Sequence, residues 1–472
     1  MHDDLSALGI SELVELIASR DVSPVEVCQA SLSRLEATEP ELNSFISLDR
    51  DRVLADAARL ETETIRGDLL GPLHGVPVAV KDNIATRSEG TTAGSRIYDA
   101  LRLDQDATVV SRLRAAGALI FGKTNLPEFA YGPVNSYHFG PTCNPWDTGR
   151  YAGGSSMGSG AAVAAGVVPA AIGTDTTGSL RNPATWCGVV GLKPTYGLVP
   201  IRGVVPLATS FDHVGPLARS ADDCARILSV IAGVDDLDPT AARYPSVNYL
   251  EILNRPIAGL RVGVVRRLWD ALDATVGGPL SRALEALRHL GVELVDIDLP
   301  SWDDVVDASE VLVACEAAAE YGPILKASEA DLLPEISERL RTGLATSASE
   351  YVRARRIALQ LRHEYRRALR DVHLFAFPGH ERTAPRIDPT GRRLDPSTTL
   401  RFVVPLNAIG APALTMPAGF VEGLPISLQL AGDHGGEPLV LALAHAYQQI
   451  TSWHKRRPAI GDHINTATES KR

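Results

Sequence analysis

Between Gly149 and Ser179 the chain places 19 glycine, alanine and serine residues in 31 positions, and only Arg150 and Asp175 are charged. This segment constrains the fold more than any other. A flexible linker is one reading of such a composition. Against it, no charge run keeps the stretch solvated. Gly160 to Gly166 has helical character, and Val167 to Ile172 reads as a strand. Small uncharged residues in that setting point to backbones packed closely in a core.

The flanking sequence alternates short apolar strands with helices. Ser11 opens a periodic SELVELIASR, Ser23-Pro24 starts a second helix with Glu26 in its first turn, and residues 50–66 carry a third. Gly71 to Val80 is a β-like run ending at Lys81, Ala107 to Ala116 a helix, and Leu119 to Phe121 a strand. Residues 240–370 read as mostly helical around one β-like run, Gly259 to Val265, and residues 403–433 return to strands and turns. The alternation argues an α/β fold. The division expected is an N-terminal helical segment over 1–66 packed on the core, one domain over 67–462, and a polar tail over 463–472.

Composition narrows the function. Net charge is −11 over 472 residues, which disfavours a direct grip on nucleic acid. Tyr351 to Arg370 holds seven arginines; they read as a solvated helix face paired with Glu350 and Glu364 rather than as a polyanion site. Five cysteines without a CxxC argue against a zinc site or a disulfide framework. The acidic, amphipathic N-terminus lacks the pattern of a signal peptide, and no run is long enough to cross a bilayer. The expectation is a soluble cytoplasmic protein with no membrane partner, no metal and no organic cofactor.

One phosphate-binding pattern fails outright. GxGxxG is absent, and Gly173 to Ser179 has a GxxxxG frame without the lysine of a phosphate cradle. Gly154 to Gly158 satisfies GxSxG, but a nucleophile elbow needs a strand before its serine, and the lead-in from Trp146 reads as a turn. A stronger constellation joins Lys81, Ser155 in GGSSMGSG and Ser179 in GTDTTGSLRNPA. A desolvated lysine loses charge and becomes a base. Such a base can activate a serine, and a glycine-rich turn leaves backbone N–H groups free for an oxyanion. Residue chemistry alone leaves ordinary roles open: an ion pair of Lys81 with Asp82, and turn hydroxyls at both serines.

GVPVAVKDN, GKTNLPEFAYG, FGPTCNPWD, GGSS, GTDTTGSLRNPA, CGVVGLKPTYG and FDHVGPLAR, in this order, resemble the amidase signature family, with further matches in PLNAIGAPALTMPAGF and GLPISLQLAG. The resemblance covers nearly the whole chain. It implies a single amidase-signature domain with a mixed central β-sheet flanked by helices on both faces. It implies hydrolysis of a carboxylic amide C–N bond, with Ser179 as nucleophile, Ser155 as the bridging serine after a cis peptide, and Lys81 as the base. The amides of Thr176, Thr177, Gly178 and Ser179 would form the oxyanion hole, and Asp175 and Arg181 would hold the loop.

Three positions depart from the family pattern. Met157 and Thr177 add bulk beside the serines, and Thr177 resists a positive φ if the loop needs one. The loop at His380, Glu381 and Arg382 suggests a polar or charged substrate. Met157, His380 and Arg382 are therefore candidate substrate contacts, with His138 and His213 as further pocket candidates. The partner expected is a small-molecule amide, and a homodimer is allowed. Two alternatives remain. One is the glutaminase subunit of a tRNA-dependent amidotransferase. That family pattern carries an arginine for the glutamine carboxylate where this chain has Ala358, unless Arg355 or Arg356 shifts into register. The other is an acyl-transferring or non-hydrolytic member.

Overall fold

The computed structural model describes residues 4–97, 104–131, 137–245, 247–387 and 400–461. The expected polar tail lies outside these residues. Thirteen strands are seen among them: β1 (Phe45–Ser47), β2 (Pro77–Lys81), β3 (Leu119–Thr124), β4 (Cys143–Asn144), β5 (Asp147–Tyr151), β6 (Ala170–Asp175), β7 (Val190–Lys193), β8 (His213–Ala218), β9 (Arg261–Val264), β10 (Glu293–Asp296), β11 (Leu374–Pro378), β12 (Ala413–Val421) and β13 (Leu424–Ala431). Eleven form one sheet in the order β1-β3-β2-β6-β8-β7-β12-β13-β11-β9-β10, and β4 and β5 pair separately. The sheet is mixed. β2 runs parallel to β3 and β6, and β9 runs parallel to β10 and β11. β6, β8 and β7 are antiparallel neighbours, as are β7, β12, β13 and β11. This is the expected α/β architecture with a mixed central sheet.

The N-terminal segment is not purely helical. Helices Ile10–Ser19, Pro24–Leu42 and Arg50–Arg66 form where predicted. Ser23 and Glu26 cap the second reciprocally, and Pro24 fills its first turn. Between the second and third, β1 joins the edge of the main sheet beside β3. Ile10, Leu13 and Ile17 share one apolar cluster with Val76, Val78 and Ile120.

All five residues of β2 are buried, and so are all six of β3 and of β6. Covered strands read as continuous apolar runs, so β2 is legible in the sequence. The small-residue tract is core, as expected, but its elements lie about three residues from their predicted places. The helix is Met157–Ala164 and the strand is β6 at Ala170–Asp175. Gly166 leaves the helical region at φ +78°, and Val167 and Val168 are buried outside any strand. Their apolar character reports burial and not β-structure. Gly158 explains the small residues: a Cβ there would lie 2.2 Å from Ser44 O and 2.4 Å from Asn125 N.

The arginine-rich segment is a helix, Ala348–Ala368, but its expected ion pairs are not seen among the described residues. Glu350 caps its own helix at Ser347, and Glu364 accepts from the Ser301 amide and hydroxyl. Among the described residues, no helix is long and apolar enough to cross a membrane.

Candidate active site

Lys81 ends β2 at the centre of the parallel part of the sheet, and its side chain is fully buried. Nζ lies 2.8 Å from Ser155 Oγ and 2.8 Å from Thr174 Oγ1. Asp82 does not pair with it. Asp82 lies in the turn just past the end of β2, and its carboxylate lies 3.3 Å from Lys123 Nζ. Burial pushes the Lys81 ammonium down to about 7, although the charges of Asp175 and Asp212 oppose the shift. The ordinary alternative of an Asp82 ion pair is thus absent, and the lysine has the desolvated setting that a base requires.

Ser155 follows a cis Gly154–Ser155 peptide. Ser155 and Ser179 are 6% and 7% exposed, so both residues are nearly buried. The Ser156 amide donates to the Ser179 carbonyl at 3.3 Å and ties the two serine segments together. Ser156, the central serine of the GxSxG match, is wholly buried. Its hydroxyl donates to the Thr174 carbonyl at 3.1 Å and accepts from the Thr174 amide at 3.3 Å. A strand, β5, does precede this segment, contrary to the turn expected from the sequence. The elbow reading fails instead because its serine is bonded within the core.

The Ser179 loop is held by one buried ion pair. The Asp175 carboxylate meets Arg181 Nε at 3.0 Å and Nη2 at 3.1 Å, and it also accepts from the Gly178 amide at 2.7 Å, the Leu180 amide at 3.1 Å and Asn407 Nδ2 at 2.8 Å. Burial alone would raise this carboxyl, but Arg181, with the charge of Lys193 and the Asn407 hydrogen bond, holds it far below the usual carboxylate range. Arg181 also donates to the Val403 carbonyl at 2.8 Å and to Gln429 Oε1 at 3.0 Å. Asp175 and Arg181 therefore shape the turn, as expected.

The four expected oxyanion donors divide. The Gly178 amide is taken by Asp175, whereas those of Thr176, Thr177 and Ser179 meet no acceptor among the described residues. The left-handed position of the loop falls on Gly178 (φ +112°), not on Thr177, so the branched Thr177 side chain fits without strain. Thr176 Oγ1 donates to Asp212 Oδ1 at 2.5 Å.

The other sequence candidates separate as well. Met157 has no exposed surface and packs in an apolar cluster with Tyr151, Leu180 and Trp186; its bulk fills core and offers substrate no surface. Arg382 is exposed and ion-paired with Glu381. His380 is 2% exposed, between Trp186 and Phe402 at ring-centroid distances of 5.0 and 6.3 Å. His138 bonds Glu128 at 2.8 Å. His213 Nε2 lies 3.2 Å from Lys193 Nζ, while its Nδ1 faces the Phe211 carbonyl at 2.6 Å. Both are occupied by neighbours. Thr174 was missed in the sequence; its place in GTDTTGS, one residue before Asp175, was the available signal.

A group of buried polar atoms near the site has no partner among the described residues: Asn182 Oδ1, Thr185 Oγ1, Trp186 Nε1, His380 Nε2 and Ser427 Oγ. Each such atom costs ~1–3 kcal/mol when left unpaired.

The amidase family model matches residues 26–441. The chain belongs to the amidase family. Among curated relatives, a glutamyl-tRNA(Gln) amidotransferase subunit from Synechococcus sp. (strain CC9311) is 39% identical over 485 aligned positions, covering 96% of this chain and 99% of the relative. Among solved structures, a vestigial protein complex described as revealing the evolutionary origins of an s-triazine catabolic enzyme includes a chain that superposes with a TM-score of 0.87 at 35% identity, covering 94% of this chain and 98% of that one. A peptide amidase in complex with the competitive inhibitor chymostatin superposes with a TM-score of 0.83 at 32% identity, covering 97% and 99%. An amidase-family chain of this kind is a C–N bond enzyme built on a mixed α/β sheet.

Proposed function

We propose that the protein hydrolyses a carboxamide through an acyl-enzyme on Ser179. The observation that carries this reading is the buried, desolvated Lys81 within 2.8 Å of Ser155 Oγ. In its neutral form the lysine accepts the Ser155 proton while Ser155 takes the proton of Ser179. Ser179 Oγ then bonds the amide carbon. The developing oxyanion is met by the amides of Thr177 and Ser179, with that of Thr176 at the edge of the loop. The C–N bond breaks as the leaving nitrogen recovers the proton through Ser155. Water attacks the ester by the same relay in reverse and returns a proton to Ser179.

A second reading makes the chain the glutamine-using subunit of a tRNA-dependent amidotransferase. The comparisons favour it, since relatives 37–39% identical over nearly their whole length are glutamyl-tRNA(Gln) amidotransferase subunits. One residue speaks against it. Ala358 is buried in its helix, while Arg355 and Arg356 are exposed, which weighs against either arginine reaching inward as the family pattern would need.

Ammonia release from glutamine, asparagine, aliphatic amides, aryl amides and diamides, with Ser179→Ala as the blank, tests both. Release by the wild type alone supports the Ser179 acyl-enzyme. Equal release by Ser179→Ala overturns it. Turnover confined to glutamine, with co-purification of a partner subunit, favours the second reading.

A further inference from the structure

His380 follows β11 and Gly379, and its imidazole is held neutral by burial, with the charge of Arg382 adding to the effect. Its Nδ1 accepts the Glu381 amide at 3.0 Å. A neutral imidazole has one N–H, so with Nδ1 an acceptor the proton sits on Nε2. Nε2 is therefore a buried donor, and it meets no acceptor among the described residues.

It is not alone. A Cβ added at Gly379 would lie 2.9 Å from Thr185 Oγ1 and 2.8 Å from Ser427 Cβ, so those two residues crowd the backbone immediately before His380. Their hydroxyls are likewise buried and unpaired, as is Asn182 Oδ1. Native proteins pair nearly all buried polar atoms, and several exceptions in one place call for a ligand or water. The group adjoins the Ser179 loop through Asn182, and the neighbouring aromatics lead toward Gly154. Asn182 Nδ2 and Val403 flank Gly178, and Trp186, which packs on His380, also packs edge-on against Tyr151, whose hydroxyl lies under Gly154. Charge is missing from the group. Arg181, the buried cation beside it in sequence, is bonded to Asp175, Asn407 and Gln429.

We propose that His380, Asn182, Thr185 and Ser427 form a subsite for an uncharged polar group on the acyl side of the substrate, a second carboxamide or similar group with its own C=O and N–H. The C=O accepts from His380 Nε2, and the N–H groups face Asn182 Oδ1 and the two hydroxyls. This deepens the proposed function and rests on it for turnover, but not for binding. A zwitterionic amino acid leaves its charges unmatched here, and an aliphatic acyl chain leaves the polar atoms unpaired.

The test compares succinamide, pentanamide and succinamate, which share a carboxamide and differ in the far group. Wild type is expected to prefer succinamide to each of the others by at least about tenfold in kcat/KM, the scale of one well-made hydrogen bond. His380→Phe keeps a ring between Trp186 and Phe402 and removes the donor, and it is expected to reduce the succinamide-to-pentanamide ratio about tenfold. A merely structural role would lower both rates and leave the ratio. Calorimetric titration of Ser179→Ala with the same three compounds reads the subsite without turnover. Tighter binding of succinamide there supports the proposal even if the nucleophile is assigned wrongly. A wild-type preference for pentanamide or succinamate, an unchanged ratio in His380→Phe, or no discrimination in the titration overturns it.

Discussion

Lys81 Nζ lies as close to Thr174 Oγ1 as to Ser155 Oγ, 2.8 Å in each case. Thr174 Oγ1 also accepts from Asn83 Nδ2 at 3.1 Å. The threonine thus fixes one face of the amine and leaves the other to the serine. Thr174→Val is expected to lower kcat about tenfold, the scale of one lost orienting hydrogen bond, with little change in KM. Steady-state kinetics on any turned-over amide checks this; an unchanged kcat removes Thr174 from the relay.

Lys81 sets the pH dependence. Its base form is the neutral amine, so kcat/KM should rise with pH through about 7 and then level. Lys81→Met should cost ~10²–10⁴ in rate. Lys81→Arg should not rescue it, because a guanidinium stays protonated. The same shift has a stability consequence. Between about 7 and the ordinary 10.5 the native lysine is neutral while the unfolded one binds a proton, so stability from this group rises with pH across that window. Denaturation of Lys81→Met should show a weaker rise there than the wild type does.

The two adjacent serines should behave oppositely. Ser155→Ala removes the bridge between base and nucleophile and should abolish turnover with little change in melting temperature. Ser156→Ala breaks the two bonds to Thr174 and should destabilise the fold by ~1–3 kcal/mol. A Ser156→Ala protein that is fully stable but inactive would reverse the assignment.

The Asp175–Arg181 pair is a stability element. Asp175→Asn leaves a buried guanidinium without its counter-charge, at a cost of ~3–5 kcal/mol. The carboxyl is depressed, so its contribution is present above the ordinary value of 3.8 and is lost only as pH falls below that toward its native value. Chemical denaturation at neutral pH should show the full difference between wild type and variant, narrowing in acid.

Gly178→Ala meets two obstacles: a φ of +112° and Val403 Cγ2 at 2.4 Å from the added Cβ. The left-handed strain alone is worth ~1–3 kcal/mol. Val403→Ala in the same protein should recover part of the stability by removing the Cγ2 overlap, while the Val403 Cβ contact at 2.7 Å and the strain remain. Thermal melts of the single and double variants measure the split.

Much of this was written in local sequence. The capped helix at Ser23-Pro24, the continuous apolar run of β2 and the small-residue tract each carry their own physical reason, because capping, two-sided burial and close backbone approach act on neighbouring residues. Lys81, Ser155 and Ser179 were singled out by residue chemistry and a family resemblance. Local pattern misplaced the helix at Met157–Ala164 by about three residues, since Val167 and Val168 are apolar for reasons of burial that periodicity cannot separate from a strand. It also hid the short β1, whose partner β3 lies far along the chain. What tertiary structure alone decided was partnership. The chain turns after Lys81, and Asp82 meets Lys123 while Lys81 meets Ser155 and Thr174. Met157 turns into the core beside Trp186, while His380, packed on the same tryptophan, keeps an unpaired donor. Those outcomes depend on which distant segments supply or withhold an acceptor, and no nearby residue carries that information.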